Sequence, residues 1–308
     1  MRIPLVDLEK TDWPSALRSI TQEKIPTSIE RKATSAIKKD MQRRIQAKAD
    51  EQRRWKRARR DSQAAMRRVL VGEQDVQEIK QLLHASVEET RALEFAEPRA
   101  EQAEPSVYIG SFSTTVVPPY GFQWGIQKPL LGPVYLDTNE SKATGTTFGN
   151  VVCTDDAGSF GIAISAVGSY LEPVVDTIMQ FSSTPVLGYG WLTECFLADA
   201  RSRGLVGLVV YQFDKGTTGT GDPLADPTVA YVEQELWNNE SWGSGAGRHD
   251  GMTSTKLSTT FKASRGHWYS LYVFSWVQAY TDGIAETYYS AAWSLMGGTV
   301  PSMTWKCI

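Results

Sequence analysis

The stretch from Gly266 to Tyr280, Gly-His-Trp-Tyr-Ser-Leu-Tyr-Val-Phe-Ser-Trp-Val-Gln-Ala-Tyr, narrows the folds open to this 308-residue chain more than any other segment. It is dense in β-branched and aromatic residues, has no proline or internal glycine, and is followed by the turn-forming Thr281-Asp282-Gly283, so it reads as a strand. Alternate positions fall into two apolar sets. Tyr269, Leu271, Val273 and Val277 take one face, and Trp268, Tyr272, Phe274 and Trp276 the other. A strand with two faces to cover belongs in the middle of a two-layer β structure, not at an edge.

Strand texture extends from Ser106 to the end of the chain. Short apolar runs alternate with clusters of Gly, Pro, Ser, Thr and Asn, which predicts about ten strands and a β-sandwich of jelly-roll type. Leu192 to Ala200 and Leu205 to Phe213 flank Arg201-Ser202-Arg203-Gly204, and the spacing predicts a hairpin with a four-residue loop. Helical periods do not alternate with these strands, which excludes a Rossmann or α/β-barrel plan.

The front of the chain has a different character. Thr27-Ser28-Ile29-Glu30 matches a capping box, and Ile29, Ala33, Ile37, Met41 and Ile45 then recur every four residues as a narrow apolar stripe. From Gln46 the stripe thins to alanines and Trp55. A second amphipathic pattern follows Gly72, through Val76, Ile79, Val87 and Leu93. The charges segregate as well. Residues 31–68 carry 15 Lys/Arg against 4 acids, a net of +11, and residues 69–104 carry 3 against 9, a net of −6. This arrangement fits a hairpin in which the acidic helix folds back on the basic one, a single rod, or packing between copies of the chain. Glu97 to Pro105 holds two prolines and no large apolar side chain, as a linker does. The resulting class is α + β multidomain: residues 1–97 a charged helical arm or hairpin, 98–105 a linker, and 106–308 an all-β jelly-roll-like sandwich.

Catalytic motifs are scarce. The three cysteines, Cys153, Cys195 and Cys307, are far apart and argue against a disulfide framework and against a zinc site. Gly-x-Ser-x-Gly, His-Glu-x-x-His and the phosphate-loop pattern do not occur. Glu194 and Glu172 are candidates for a carboxylate pair of the kind glycosidases use, with an outward strand position and a turn as the plainer readings. No cofactor is expected.

Binding residues are easier to nominate. Most tryptophans after residue 105 fall on predicted strands and read as core. Trp237 and Trp242 instead bracket Asn238-Asn239-Glu240-Ser241 in a polar, glycine-rich region, where an aromatic face beside amides suits stacking on a sugar or a base. Gly243 to Gly251 reads as a surface loop carrying Arg248, His249 and Asp250. The binding set is therefore Trp237, Asn239, Trp242, Arg248, His249 and Asp250. In the arm, Arg53, Arg54, Trp55, Lys56, Arg57, Arg59 and Arg60 form a basic segment suited to nucleic acid, to an anionic membrane, or to a partner helix. The partner helix ranks first, because an acidic block follows directly.

These features point to a non-enzymatic assembly and binding protein. Its arm oligomerises or docks, and its sandwich recognises a partner or glycan. A capsid-like shell protein with a basic arm for nucleic acid, a pore-forming toxin and a carbohydrate-active enzyme are the alternatives. Residues 1–25 lack the apolar core of a secretory signal, and no apolar run is long enough to span a bilayer. The chain is therefore expected to be made in the cytoplasm, with later release or incorporation into a particle open to it.

Overall fold

The aromatic stretch forms a strand, His267–Asp282, hydrogen-bonded along both edges and buried on both faces. The computed structural model describes residues 35, 38–54, 113–154, 158–173, 176–214, 228–282 and 289–308. In chain order the strands are β1 (Ser113–Val116), β2 (Phe122–Leu131), β3 (Tyr135–Ser141), β4 (Thr146–Cys153), β5 (Ser159–Leu171), β6 (Thr177–Ser183), β7 (Val186–Asp214), β8 (Thr228–Ser254), β9 (Leu257–Ala263), β10 (His267–Asp282), β11 (Tyr289–Thr299) and β12 (Met303–Cys307). The second acidic helix, the linker and the choice between hairpin and rod lie outside the described residues. So do Trp55, Lys56, Arg57, Arg59 and Arg60.

All pairings are antiparallel. One sheet has the order β1-β12-β6-β9, and the other runs β2-β5-β10-β7-β11-β4-β3 with β8 on the remaining edge of β7. The two ends of β7 serve different neighbours. Val186 to Phe196 pairs with β11, and Asp199 to Asp214 pairs with β10. Opposite β8, the register slips between Phe196 and Ala198. The extra residue in β7 reverses which alternate side chains face inward: Leu187 and Cys195 enter the main core before it, and Ala198, Ala200 and Val206 after it. Along one edge, β7 thus serves β11 and then β10, with the inward positions changing parity at the bulge.

Between the layers lies the larger core. Tyr269, Leu271, Val273 and Val277 of β10 meet Val151 and Cys153 of β4, Met296 of β11, and Phe181, Phe261 and Trp305 of the smaller sheet. The Cys153 thiol donates to the carbonyl of Ala279 at 3.3 Å, and burial pushes its pKa up. The plan is antiparallel and sandwich-like, as the sequence predicts. Its strand order does not establish the jelly-roll connection.

The other face of β10 carries Trp268, Tyr272, Phe274 and Trp276, which join Phe122, Trp124, Ile162, Ile164, Leu205, Val209 and Tyr211 in a second core. Helical residues 38–54 cover it, inserting Met41, Ile45 and Ala49, each buried. The described part of the expected arm is therefore docked on the sandwich and does not stand apart from it. An aromatic outer sheet face would be costly in water, and the stripe of one apolar residue per turn is the width needed to cover it.

Polar contacts fix the helix in place. Asp40 accepts from Arg44 Nε and from the Tyr211 hydroxyl, both at 3.0 Å, and the Arg44 guanidinium lies 3.7 Å over the ring of Tyr231. Burial, reinforced by the Asp40 charge, holds the Tyr211 hydroxyl well above the ordinary tyrosine range. Lys48 approaches Glu233 at 3.8 Å.

The expected hairpin at residues 201–204 is corrected by β7, which runs through it unbroken. Each polar residue there has a partner that a loop reading does not foresee. Arg201 donates to Gln52 and Asn238, Arg203 pairs with Glu51 and Glu235, and Ser202 turns inward to Ser294. Sequence also passes over β2, which contains Pro129, and β6, whose Thr-Ile-Met-Gln-Phe-Ser-Ser holds only three apolar residues among polar ones.

The docked helix generates a prediction. Met41→Ala and Ile45→Ala should each lower stability by about 2–4 kcal/mol, read from urea unfolding midpoints. Lys39→Ala, on the exposed side of the helix, should stay within about 0.5 kcal/mol of the parent. Equal effects at all three positions would contradict the docking.

Candidate functional site

Residues 237–251, nominated from the sequence as a loop-borne site, belong to β8 instead. In a strand, side chains alternate, and the nominated set divides accordingly. Trp237, Asn239 and His249 share one face, and Arg248 and Asp250 take the other, where both are exposed. The expected Arg-His-Asp constellation is therefore not assembled. Trp242 pairs through its backbone with Asp199, and its side chain lies outside the described residues.

Trp237 does not offer a free face to solvent. It is 7% exposed, donates from Nε1 to Ser202 Oγ at 2.9 Å, and stacks on Tyr189 with centroids 5.3 Å apart and planes at 14°. It also lies against Gly204, where a Cβ would come within 2.1 Å of the indole. The glycine that reads as a loop terminator in the sequence is the space into which this ring packs.

What reaches the surface is a set that includes two residues sequence reading missed. His249 is exposed and faces Trp191 across the ladder. Its ring centroid lies 5.8 Å from Tyr189 and 6.2 Å from Trp191, both half-buried. Gly247 and Gly251 flank His249 on the same face. A Cβ at Gly247 would stand 3.1 Å from the Trp191 ring, and one at Gly251 3.1 Å from the Tyr189 hydroxyl. The glycine-rich run thus leaves room for aromatic rings to lie over β8.

The polar surround comes from the bend in the hairpin. Asn239 donates to Thr193 Oγ1 at 2.5 Å, and Thr193 Oγ1 also meets Ser241 Oγ at 2.8 Å, although Thr193 pairs with Gly247 through the backbone. These contacts tie distant parts of β8 to one residue of β7. They place Tyr189, Trp191, His249 and Asn239 around a shared aromatic surface along β8, which pairs only with β7 among the described strands. Trp191 reads as core with the other strand tryptophans; the signal that could mark this pair is Tyr189-Gly-Trp191, two aromatics at strand period.

The other nominated groups are dispersed. Glu194 lies on the side of β7 away from the main core but is buried there, and Glu172, just after β5, accepts from the Tyr170 hydroxyl at 2.9 Å. Arg53 and Arg54 are exposed at the far end of the described helix. Among the described residues, no group of three or more His, Cys, Asp and Glu side chains could hold a metal ion, and no helix is long and apolar enough to cross a membrane.

No family model matches the chain, and no curated protein sequence is similar to it. Among solved structures, the enzymatically active domain of bacteriophage CBA120 tailspike protein 4 aligns at 9% identity and a TM-score of 0.19, covering 58% of this chain and 19% of that one. The module TmCBM61, solved in complex with β-1,4-galactotriose, aligns at 10% identity and a TM-score of 0.16, covering 56% and 87%. A CocE/NonD family hydrolase from Staphylococcus aureus aligns at 9% and 0.15, covering 52% and 33%. Likenesses of this size carry no functional argument.

The packing at Gly204 can be tested directly. Gly204→Ala should destabilise the chain by about 1–3 kcal/mol through overpacking against Trp237. Combined with Trp237→Leu, it should cost less than the sum of the two single changes in a double-mutant cycle. Strict additivity would show that the two residues do not touch.

Proposed function

We propose that this chain is a non-enzymatic binding and assembly protein whose sandwich recognises a glycan through Tyr189, Trp191, His249 and Asn239. One observation carries the reading: two half-buried aromatic rings and an exposed imidazole lie side by side on a rigid strand pair, with glycines on either side of the imidazole. Rings held this way bind at little entropic cost, because they lose few rotamers, and Tyr189 already rests on a core residue, Trp237. Tyrosine and tryptophan are the side chains that most often dominate binding energy. The apolar faces of a sugar stack on such rings, while its hydroxyls need the donors and acceptors that the imidazole, the Tyr189 hydroxyl and the Asn239 amide supply.

The assembly half of the proposal rests on the charge blocks, +11 over residues 31–68 against −6 over residues 69–104. Opposite blocks of this size suit contact between copies of the chain or with a larger body, and such contact weakens as salt screens it. Light-scattering mass should fall between 0.05 M and about 1 M salt. A mass that does not change with salt would remove that role.

For the sandwich, titration of the chain with a panel of neutral oligosaccharides should quench tryptophan fluorescence. Trp191→Ala and His249→Ala should weaken binding at least about tenfold, equivalent to about 1.4 kcal/mol, with the His249 variant unfolding at the parental urea concentration. Binding that both variants retain would place the glycan elsewhere.

A further inference from the structure

The smaller sheet presents a polar outer face. In register, one row across β1, β12, β6 and β9 reads Thr115, Thr304, Ser182 and Ser258, and the next Ser113, Lys306, Gln180 and Thr260. A third row brings Ile178 beside Lys262, with Ile308 bonded through its backbone N–H to the carbonyl of Ile178 at 3.0 Å. These outward residues are half-buried to exposed, whereas Met179, Phe181, Phe261, Met303 and Trp305 on the reverse side enter the main core.

Three properties of this face point to one kind of partner. Its four strands contain no Asp or Glu; their charges are Lys262 and Lys306, exposed Lys256 lies just before β9, and Asp176, just before β6, accepts from the backbone N–H of Arg265. It is bonded to itself, through Thr115 to Thr304 at 2.9 Å and Gln180 to Ser258 at 2.9 Å, so its hydroxyls are held in place before any ligand arrives. And it is amphipathic, with two hydroxyl and amide rows beside the apolar corner of Ile178 and Ile308, 54% and 63% exposed.

We propose that this face binds an anionic polysaccharide, a polyuronate chain lying flat across the four strands. Sugar hydroxyls meet the Thr, Ser and Gln rows, ring C–H faces meet Ile178, and carboxylates meet Lys262 and Lys306. Strand spacing and rise put the two lysines about 12 Å apart, so they address separated carboxylates on one extended chain. Single-stranded nucleic acid fits less well, because the rows contain no aromatic side chain on which a base could stack. Duplex binding at physiological salt draws on more phosphate contacts than these few lysines supply. This surface is separate from the Tyr189–His249 site and does not depend on it.

The test uses the full chain and affinity gel electrophoresis with polygalacturonate, its fully methyl-esterified neutral form, single-stranded DNA and anionic phospholipid vesicles. Polygalacturonate should retard the protein, the ester at least tenfold less. Lys262→Gln/Lys306→Gln should lose at least tenfold in affinity while keeping the parental circular dichroism, and His249→Ala should bind as the parent does. Equal retardation by acid and ester, an unaffected double variant, loss in His249→Ala, or stronger binding to DNA or vesicles than to polygalacturonate would each overturn the assignment. Loss of neutral-oligosaccharide binding in His249→Ala with polygalacturonate binding intact would support both sites separately.

Discussion

A strand that is apolar on both faces must be covered twice, and the architecture follows from how β10 is covered. Its Tyr269, Leu271, Val273 and Val277 face is closed by the second layer and the smaller sheet. Its Trp268, Tyr272, Phe274 and Trp276 face is closed by its own sheet neighbours and by Met41, Ile45 and Ala49 of the helix. Each buried aromatic removes a large apolar area from water, so leaving either side open would cost several kcal/mol. The charged front of the chain is therefore not simply an appendage. Part of it completes the core, and its Asp40, bonded to Tyr211 and Arg44, fixes where it sits.

The same economy of cover explains the candidate site. β7 serves β11 and then β10 on either side of a bulge, β8 follows it along the other edge, and distant parts of this hairpin meet over its inner face. Tyr189, far from Trp237 in sequence, thereby stacks on it, and Thr193 reaches both Asn239 and Ser241. The surface proposed for recognition is a by-product of that arrangement. Tyr189 is supported from behind by Trp237, and Gly247 and Gly251 on either side of His249 leave room for the rings over β8.

Much of the fold was legible. The two-sided strand and the apolar stripe through Met41 and Ile45 are local patterns, and local periodicity reports directly on which side chains are buried. The site was less legible. Trp237 read as exposed because its neighbours are amides and glycines, yet its neighbours in space are Tyr189, Ser202 and Gly204. Arg201 and Arg203 read as a turn because their partners, Glu51, Gln52, Glu235 and Asn238, are distant in the chain.

By itself, then, the sequence determined that the central aromatic segment is a strand with two faces to hide and which helix positions are apolar, because backbone geometry makes these matters of spacing along the chain. Only the tertiary structure decided that β7 runs unbroken through Arg201 to Gly204, that the helix closes the outer face, and that Tyr189 and Trp191, not Trp237, meet the solvent beside His249. Those outcomes depend on a one-residue bulge and on contacts between residues far apart in sequence, and a polar or glycine residue carries no mark of the partner that will satisfy it or the ring that will fill its space.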